Sequence, residues 1–456
     1  MDIEEASLTR SADTRALAYL ETVATRRVFP DNDALAALSA FDEPLSERGV
    51  DAEETLALLD DVGSPATVAT NGPRYFGFVV GAALPVAAAA ERLMLAWDNG
   101  APLHLTSPVC AKVEEVAAGW LLDILDLPRK SAVGFGTSAS ASSLVCLTAA
   151  RQKLLMNAGW DADKHGLFGA PEIKVVVSEK VHITVLKALR ILGFGTERII
   201  FAAVNDHGAI DLARLPPLDA RTIVCLQAGE VNTGEFDPVE AIALKAQEVG
   251  AWVHVDGAFG LWARASEKLR HHTVGMELAD SWAVDGHKWL NTPYDCAMAI
   301  CKDPATLAAA MNSDAVYANG ANSAQKNLTI EFSRRARGVP VWAALRTLGR
   351  QGVAAMIERH CTQASALAQA LSDNGFDVVN RVVLNQVLVR GRDDAETRAI
   401  QAYVHDSGDV WFGTTMWGGR AAFRLSVSSW RTTDSDISLL SNVICKARDA
   451  YNPSAQ

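Results

Sequence analysis

The sequence has no uninterrupted apolar stretch close to the roughly 18 to 20 residues that a membrane-spanning helix requires. Residues 1–5 are acidic and lack the basic region with which a secretory signal peptide begins. Positively charged residues are outnumbered: the chain has 42 lysines and arginines and 54 aspartates and glutamates, which gives a net charge of -12. Nucleic acids and anionic membranes attract basic surfaces, so neither is expected as a partner. These features predict a cytoplasmic protein.

Cysteine is scarce as well, with seven residues scattered along the 456-residue chain. They are odd in number and lie mostly in apolar surroundings, which is typical of reduced core residues. Cys296 and Cys301 are five apart, but no Cys-x-x-Cys motif or helical histidine pair accompanies them, so no metal site is expected. What the chain does contain is 49% hydrophobic and 21% charged residues, the balance of a globular protein. Its length predicts roughly two or three domains.

Three regions of the chain differ in their apolar spacing. Residues 1–100 show helix-like spacing and are predicted to form an N-terminal helical arm. A large domain is expected over residues 101–354, where short β-branched runs alternate with helical segments, as in a mainly parallel sheet with crossover helices. A smaller C-terminal α/β domain is expected over residues 355–456. The strands predicted in the two domains are 174–177, 198–201, 222–225, 252–255, 281–284, 297–300, 382–389 and 422–427.

Two residues of opposite charge, Asp256 and Lys288, each follow a predicted strand and lie 32 positions apart. In an open α/β sheet, ligands bind outside the carboxyl ends of the strands, so such residues can face one crevice. A lysine that forms a Schiff base and an aspartate that faces a pyridinium nitrogen are the minimum for pyridoxal phosphate (PLP) chemistry. Taken singly, each has an ordinary explanation, as a solvated lysine or as a turn aspartate before Gly257.

Small and hydroxyl-bearing residues at 134–143 precede an apolar, proline-free segment at 144–155. At the start of a helix, such residues let backbone N–H groups and hydroxyls approach a phosphate, whose charge the helix dipole favours. A Ser/Gly loop that only caps a helix is at least as common. The run therefore gains weight only beside Asp256 and Lys288, where it supplies a phosphate anchor.

Three histidines have both a functional and a structural interpretation. His182 lies just after a predicted strand, where it could stack on a pyridine ring and contact a substrate carboxylate, or be purely structural. His287 could reach a phosphate or be an ordinary turn residue. His254 and Asp256 share one face of a strand and could both bind a metal, but no third ligand is evident.

Several motifs spread over most of the chain occur in the same order and at the same spacing as in one known protein family. They occupy residues 75–78, 107–115, 119–121, 136–144, 149–151, 231–238, 254–259, 285–289 and 334–337, with Trp342. In these motifs the chain resembles the group II PLP-dependent amino acid decarboxylases, which include aromatic-L-amino-acid, glutamate and diaminobutyrate decarboxylases. The resemblance implies the α/β fold type I architecture: an N-terminal arm, a large domain with a seven-stranded, mostly parallel sheet, and a small C-terminal domain.

The resemblance also implies roles for individual residues. Lys288 would bind PLP as a Schiff base, Asp256 would pair with the pyridine nitrogen, and Ala258 would pack against the ring. His182 would stack over the cofactor and, with Lys288, act in catalysis. The residues implied to surround the phosphate are Ser138, Ala139, Ser140 and His287. Family members form homodimers with the active site at the subunit interface.

The chain departs from the family in its mobile loop. Family members often carry there a tyrosine that reprotonates the substrate Cα, about nine residues before Arg334, where this chain has Ala324, Gln325 and Lys326. The nearest tyrosine is Tyr317. Members with that tyrosine altered tend toward oxidative, aldehyde-forming reactions. The predicted function is decarboxylation of an L-amino acid to the amine and CO2; the alternatives are decarboxylation-dependent oxidative deamination, transamination or another lyase reaction.

The sequence says less about the substrate. A glutamate-like substrate would require a cation for its distal carboxylate, whereas an aromatic one would require an apolar slot. The candidates Tyr75, Phe76, Leu103 and His104 lie in a region that the family uses near its substrate pocket, which favours an aromatic amino acid.

Two further features of the sequence bear on function. The basic run 333–337 is a solvated face, a carboxylate-binding group or a subunit contact. A non-catalytic relative that keeps the fold usually loses the lysine or the aspartate, and this chain has both, so an enzyme is expected.

Overall fold

The computed structural model describes residues 5–312 and 323–451, so Tyr317 lies outside the described residues. The helices in these ranges are α1 (Glu5–Thr22), α2 (Asn32–Ala37), α3 (Ala52–Gly63), α4 (Pro85–Trp97), α5 (Pro108–Ile124), α6 (Ala139–Asn157), α7 (Ala162–His165), α8 (Ile183–Ile191), α9 (Val239–Val249), α10 (Pro304–Met311), α11 (Gly338–Asp373), α12 (Asp394–Ser407) and α13 (Asp434–Ala450). The strands are β1 (Ala132–Gly136), β2 (Lys174–Ser178), β3 (Ile199–Ala202), β4 (Thr222–Gln227), β5 (Trp252–Asp256), β6 (Ser281–Asp285), β7 (Ala297–Cys301), β8 (Asp377–Val378), β9 (Gln386–Arg390), β10 (Gly413–Trp417) and β11 (Arg420–Ser426). No helix within the described ranges has the length and apolar character needed to cross a membrane.

The chain divides into two compact units. The first contains Met1–Ala82, Ala366–Val379 and Val387–Gln456, and the second contains Ala83–Ser365 and Asn380–Gln386. The three-part division at residues 100 and 354 stays a prediction. The first unit holds a four-stranded sheet in the order β10-β11-β9-β8. Strands predicted at 382–389 and 422–427 correspond to β9 and β11.

The second unit is built around a seven-stranded sheet in the order β1-β7-β6-β5-β4-β2-β3. Neighbours from β6 to β3 along this order run parallel, whereas β7 runs antiparallel to both β1 and β6. The mostly parallel seven-stranded sheet is therefore confirmed. Every residue of β4 and β5 is buried, because both faces of the sheet are covered. This burial explains the continuous apolar runs that reveal these strands in the sequence.

The sequence pattern does not predict strand β1, because residues 134–136 belong to the glycine- and serine-rich run 134–143. Glycine is unfavourable in strands in general, and β1 contains Gly134 and Gly136. At Gly134 the reason is a close approach of backbone, since a Cβ there would lie 2.0 Å from the carbonyl oxygen of Leu328. The loop proper is shorter than expected and begins after Gly136.

The carboxyl ends of three adjacent strands carry polar side chains. Gln227 ends β4, Asp256 ends β5 and Asp285 ends β6. In the parallel register Gln227 pairs with Asp256, and Asp256 pairs with Ala283. Because residues two apart on a strand share a face, the three side chains lie on one face of the sheet. Neighbouring strands are about 4.8 Å apart, so the three groups form a row.

The basic run 333–337 contains a buried ion pair. The side chains of Arg334 and Glu114 are 0% and 1% exposed. Oε1 of Glu114 accepts hydrogen bonds from Nη1 of Arg334 and from the backbone N–H of Gly338, both at 3.0 Å. Of the three alternatives for this run, Arg334 therefore binds a carboxylate, one that the chain itself provides.

Replacement of Glu114 by glutamine is expected to lower the free energy of unfolding by about 3–5 kcal/mol, because it leaves the Arg334 charge buried and unpaired. Urea denaturation of the purified protein measures this loss. Glu115→Gln is the matched control, since Glu115 pairs with Lys112 at 3.1 Å on the exposed surface. Its loss should stay under about 1 kcal/mol. Equal losses in the two variants would contradict the prediction.

Candidate active site

A cavity of about 190 Å³ opens at the carboxyl ends of β4, β5 and β6 in the second unit. The cavity is lined by Ser138, Ala139, Ser140, His182, Thr184, Gln227, Gly229, Val231, Asp256, Ala258, Phe259, Asp285, His287 and Lys288. All the site residues predicted from the sequence are in this lining, while their roles stay predictions.

Lys288 lies three residues after β6, and its amine contacts the carboxylate at the end of that strand. Nζ of Lys288 is 3.1 Å from Oδ2 of Asp285. Oδ1 of Asp285 accepts a hydrogen bond from the backbone N–H of Ala139 at 2.6 Å. Asp285 thus connects the lysine to the first turn of α6. Sequence reasoning missed Asp285 as a site residue, although it ends a strand just as Asp256 does.

Asp256 is a buried carboxylate, with 8% of its surface exposed. Burial raises the pKa of Asp256 above its ordinary value, while the charges of His182 and Lys288 act in the opposite direction. Its Oδ1 accepts a hydrogen bond from the backbone N–H of Ala258 at 3.2 Å. A buried carboxylate of this kind is stabilised by an adjacent cation, and a protonated pyridine nitrogen would supply one. The residue therefore fits a PLP ring in the cavity.

His182 occupies the N-cap position of α8, and its contacts set its tautomer. Nδ1 of His182 accepts a hydrogen bond from the backbone N–H of Thr184 at 3.4 Å. The hydroxyl oxygen of Thr184 is 2.7 Å from the same nitrogen. A backbone N–H can only donate, so Nδ1 carries no proton and the neutral ring is protonated on Nε2. His182 can therefore act as a hydrogen-bond donor through Nε2.

The predicted phosphate anchor lies at the start of α6. Ser138 is the N-cap, and its hydroxyl oxygen accepts from the backbone N–H of Ala141 at 3.3 Å. The 19-residue helix directs its dipole at this end, which favours an anion.

His287 is the other predicted neighbour of the phosphate. Burial lowers the pKa of His287, and its Nδ1 accepts from the backbone N–H of Cys296 at 3.2 Å. The neutral ring is therefore protonated on Nε2 and can donate from that atom. A helix N-terminus beside a neutral histidine donor is a set that fits a phosphate group.

His254 does not line the cavity. Its Nδ1 is 3.0 Å from the hydroxyl of Ser281, and its Nε2 is 3.4 Å from the hydroxyl of Ser143. Burial lowers the pKa of His254 to about 3. The ring therefore belongs to the packing beneath α6, and the metal-ligand interpretation receives no support from its contacts.

The buried His254 predicts a stability that depends on pH. The folded state holds the ring neutral down to about pH 3, whereas the unfolded chain protonates it near pH 6.5. Its contribution is therefore complete above pH 6.5 and is lost as the pH falls toward 3. His254→Asn should reduce the difference in unfolding free energy between pH 7 and pH 5 by about 2 kcal/mol, as measured in urea. The same substitution at the exposed His165 should leave that difference unchanged, and an equal change there would contradict the assignment.

Gln325 lies in the stretch 324–326, about nine residues before Arg334, where the resemblance to the family places the loop tyrosine. Its side-chain Oε1 accepts from the backbone N–H of Phe135 at 2.9 Å, and its Nε2 donates to the carbonyl oxygen of Val133 at 3.0 Å. The next residue, Lys326, is 1% exposed, and its Nζ donates to Oδ1 of Asn327 at 3.1 Å. These side chains are engaged in packing and pairing outside the cavity lining.

The described residues that line the cavity do not include the four substrate-pocket candidates, Tyr75, Phe76, Leu103 and His104. Tyr75 stacks on Trp411 within the first unit, with ring centroids 4.8 Å apart, and Phe76 is fully buried there. Leu103 is buried and His104 is exposed. The residues that sequence reasoning missed are Thr184, Gln227, Gly229, Val231, Phe259 and Asp285.

Comparison with known proteins extends over nearly the whole chain. A family model described as the pyridoxal-dependent decarboxylase conserved domain matches residues 60–391. Tryptophan decarboxylase 1 of Oryza sativa subsp. japonica is 29% identical over 404 residues, which are 78% of this chain and 76% of the relative. Phenylacetaldehyde synthase of a Rosa hybrid cultivar is 25% identical over 437 residues, 86% of this chain and 84% of the relative.

The solved structures show the same fold. The crystal structure of Oryza sativa TDC with PLP and tryptamine superposes with a TM-score of 0.90 at 24% identity, and it covers 98% of this chain and 99% of that one. The fold type I prediction is confirmed by this likeness.

Proposed function

The chain belongs to the pyridoxal-dependent decarboxylase family, and from that premise we propose that it removes CO2 from an aromatic L-amino acid and releases the amine. It is a PLP-dependent amino acid decarboxylase by family. The observation that carries the proposal is the cavity in which Lys288, Asp256 and His182 meet the first turn of α6.

The chain's residues would divide the work as follows. When bound, PLP supplies an aldehyde that captures the substrate amine and a pyridinium ring that accepts the electrons of the broken bond. Asp256 would keep the ring nitrogen protonated, and the start of α6 with His287 would hold the phosphate. His182, which donates through Nε2, would orient the carboxylate that leaves. Lys288 would anchor the cofactor and, once displaced by the substrate, carry a proton to Cα, with Asp285 at 3.1 Å to hold the charged amine.

The cavity lining favours an aromatic substrate over an acidic one. Among the described residues that form it there is no arginine, and its lysine is Lys288 itself. A distal carboxylate would therefore lack a dedicated cation there, whereas Phe259 and Val231 offer apolar surface. The similarity to a tryptophan decarboxylase and to a phenylacetaldehyde synthase agrees with this preference.

The second candidate is decarboxylation coupled to oxidation, with an aldehyde as the product. Gln325 favours it, because an amide cannot donate a proton as the family's tyrosine does, and both ends of this amide are hydrogen-bonded to β1. Two similar relatives are phenylacetaldehyde synthases. We place amine formation first because Lys288 and His182 are both proton-bearing groups in the cavity lining.

The test is to incubate the purified protein and PLP with a panel of the twenty amino acids. CO2 release, oxygen uptake and the organic product are measured together. Release of CO2 and an amine from tryptophan, tyrosine or phenylalanine, without oxygen uptake, is expected. Aldehyde, ammonia and peroxide would establish the second candidate, and CO2 release from glutamate alone would contradict the substrate preference.

A homodimer is part of the proposal. Helix α4 exposes Leu93 and Trp97, which are four residues apart and share one face, by 57% and 43% of their surfaces. Exposed apolar groups clustered on one element mark an interaction surface, and a second copy of the chain is the proposed occupant. Analytical ultracentrifugation should give twice the 48.7 kDa mass of one chain.

A further inference from the structure

Gln227 lines the cavity, and the nitrogen of its side-chain amide has no hydrogen-bond partner among the residues that the structure describes. It is the last residue of β4, it is 4% exposed, and its backbone N–H is tied to Oδ2 of Asp237 at 2.7 Å. The amide nitrogen of the side chain, Nε2, is buried. No other lining residue has a buried side-chain N or O atom of this kind within the described ranges.

A buried donor without an acceptor is destabilising, and the great majority of such groups in folded proteins are paired. Unpaired donors that line a cavity are explained most simply by a ligand that supplies the acceptor. An oxygen or nitrogen of a ligand bound in the cavity would supply the acceptor that Gln227 lacks.

The order of the strands indicates which acceptor this is. Asp285 at the end of β6 binds the first turn of α6 through the N–H of Ala139 at 2.6 Å, so the anion-binding position lies on that side. Asp256 follows on β5, and Gln227 follows on β4. Across the sheet the order is therefore anion-binding turn, carboxylate and amide donor, with the carboxylate and the amide on neighbouring strands about 4.8 Å apart.

The substituents of PLP occur in the same order. The phosphate arm lies on one side of its ring nitrogen, and the phenolic oxygen lies on the other. If the phosphate binds at α6 and the nitrogen faces Asp256, the phenolic oxygen is directed toward β4.

We propose that Nε2 of Gln227 donates a hydrogen bond to the phenolic oxygen of PLP. This inference relies on the proposed placement of PLP in the cavity, but it does not depend on the substrate or on the product. A donor at this oxygen stabilises its negative charge. The group therefore sets the pH at which the bound cofactor loses its proton, and with it the visible spectrum.

The experiment compares Gln227→Leu with the parent protein. The leucine variant should bind PLP roughly 10- to 100-fold more weakly, as measured by absorbance titration, because a charge-assisted hydrogen bond is lost. The pH midpoint of its spectral change should rise, because the phenolic oxygen becomes more basic. The melting temperature without PLP should not fall, since Nε2 has no hydrogen-bond partner to lose within the described part of the chain. Gln227→Glu, which keeps the shape but replaces the donor by an acceptor, should bind PLP more weakly still.

A cofactor analogue that lacks the phenolic hydroxyl, 3-deoxypyridoxal 5'-phosphate, identifies the acceptor. Parent and Gln227→Leu should bind this analogue with equal affinity. If the leucine variant loses the same factor with the analogue as with PLP, the amide contacts another atom and the proposal is overturned. Unchanged PLP affinity with an unchanged spectral midpoint would also overturn it. Because these are binding and spectral measurements, they stand whether the enzyme forms an amine or an aldehyde.

Discussion

Lys288→Ala is expected to abolish the covalent attachment of PLP and to lower turnover by more than about 1,000-fold. The variant removes both the amine that would anchor the cofactor and the proton carrier that remains when the substrate displaces it. The cavity holds no other lysine among its described lining residues, so no neighbour can take over the attachment. Borohydride reduction followed by peptide mass spectrometry measures attachment directly. The near-visible absorbance of the lysine-bound cofactor measures it in solution.

The exposed Lys187, on α8 of the same unit, provides the control. Lys187→Ala should keep the coloured cofactor and full turnover. A Lys288→Ala protein that retained colour, a reducible adduct and activity would refute the assignment of the site.

Asp256→Asn should lower turnover by about 150- to 5,000-fold while PLP stays attached to Lys288. The substitution preserves the shape of the side chain but removes the charge that would pair with the ring nitrogen in a buried site. The loss of one partner of a buried ion pair costs about 3–5 kcal/mol, and each 1.36 kcal/mol corresponds to a factor of ten in rate. Steady-state kinetics with the best substrate of the panel measures the loss.

Asp280→Asn is the matched control. Burial raises the pKa of Asp280 as it does that of Asp256, and Oδ2 of Asp280 accepts a backbone hydrogen bond from Val253 at 2.8 Å. Asp280 is not part of the cavity lining. If both asparagine variants lost turnover equally, the effect would reflect general damage to the sheet, and Asp256 would have no special role.

Much of the large sheet was predictable because its strands are buried on both faces. Runs such as Val175, Val176 and Val177 in β2 stand out against the helical segments between them. Strand β1 does not stand out in this way. The backbone of Leu328, distant in the sequence, lies so close to position 134 that only glycine fits there. Likewise, the pairing of Arg334 with Glu114 joins residues 220 positions apart, and no local pattern reveals it.

The site was predictable where its residues follow strands along the chain. Lys288, Asp256 and His182 were found in this way. Gln227 and Asp285 end strands too, but their relevance depends on which strands are neighbours in the sheet, and sequence order alone does not establish this. Thr184 acts through the tautomer of His182, a property visible only in the hydrogen bonds.

The pairing of Gln325 with β1 has a consequence for the solution behaviour of the protein. β1 is the outermost strand on its side of the sheet. The unpaired peptide groups of an edge strand can form hydrogen bonds with a strand of another chain, which leads to aggregation. The carboxamide of Gln325 donates and accepts as a peptide unit would, and it satisfies the N–H of Phe135 and the carbonyl of Val133. One side chain thus substitutes for an additional strand and shields this margin from intermolecular association.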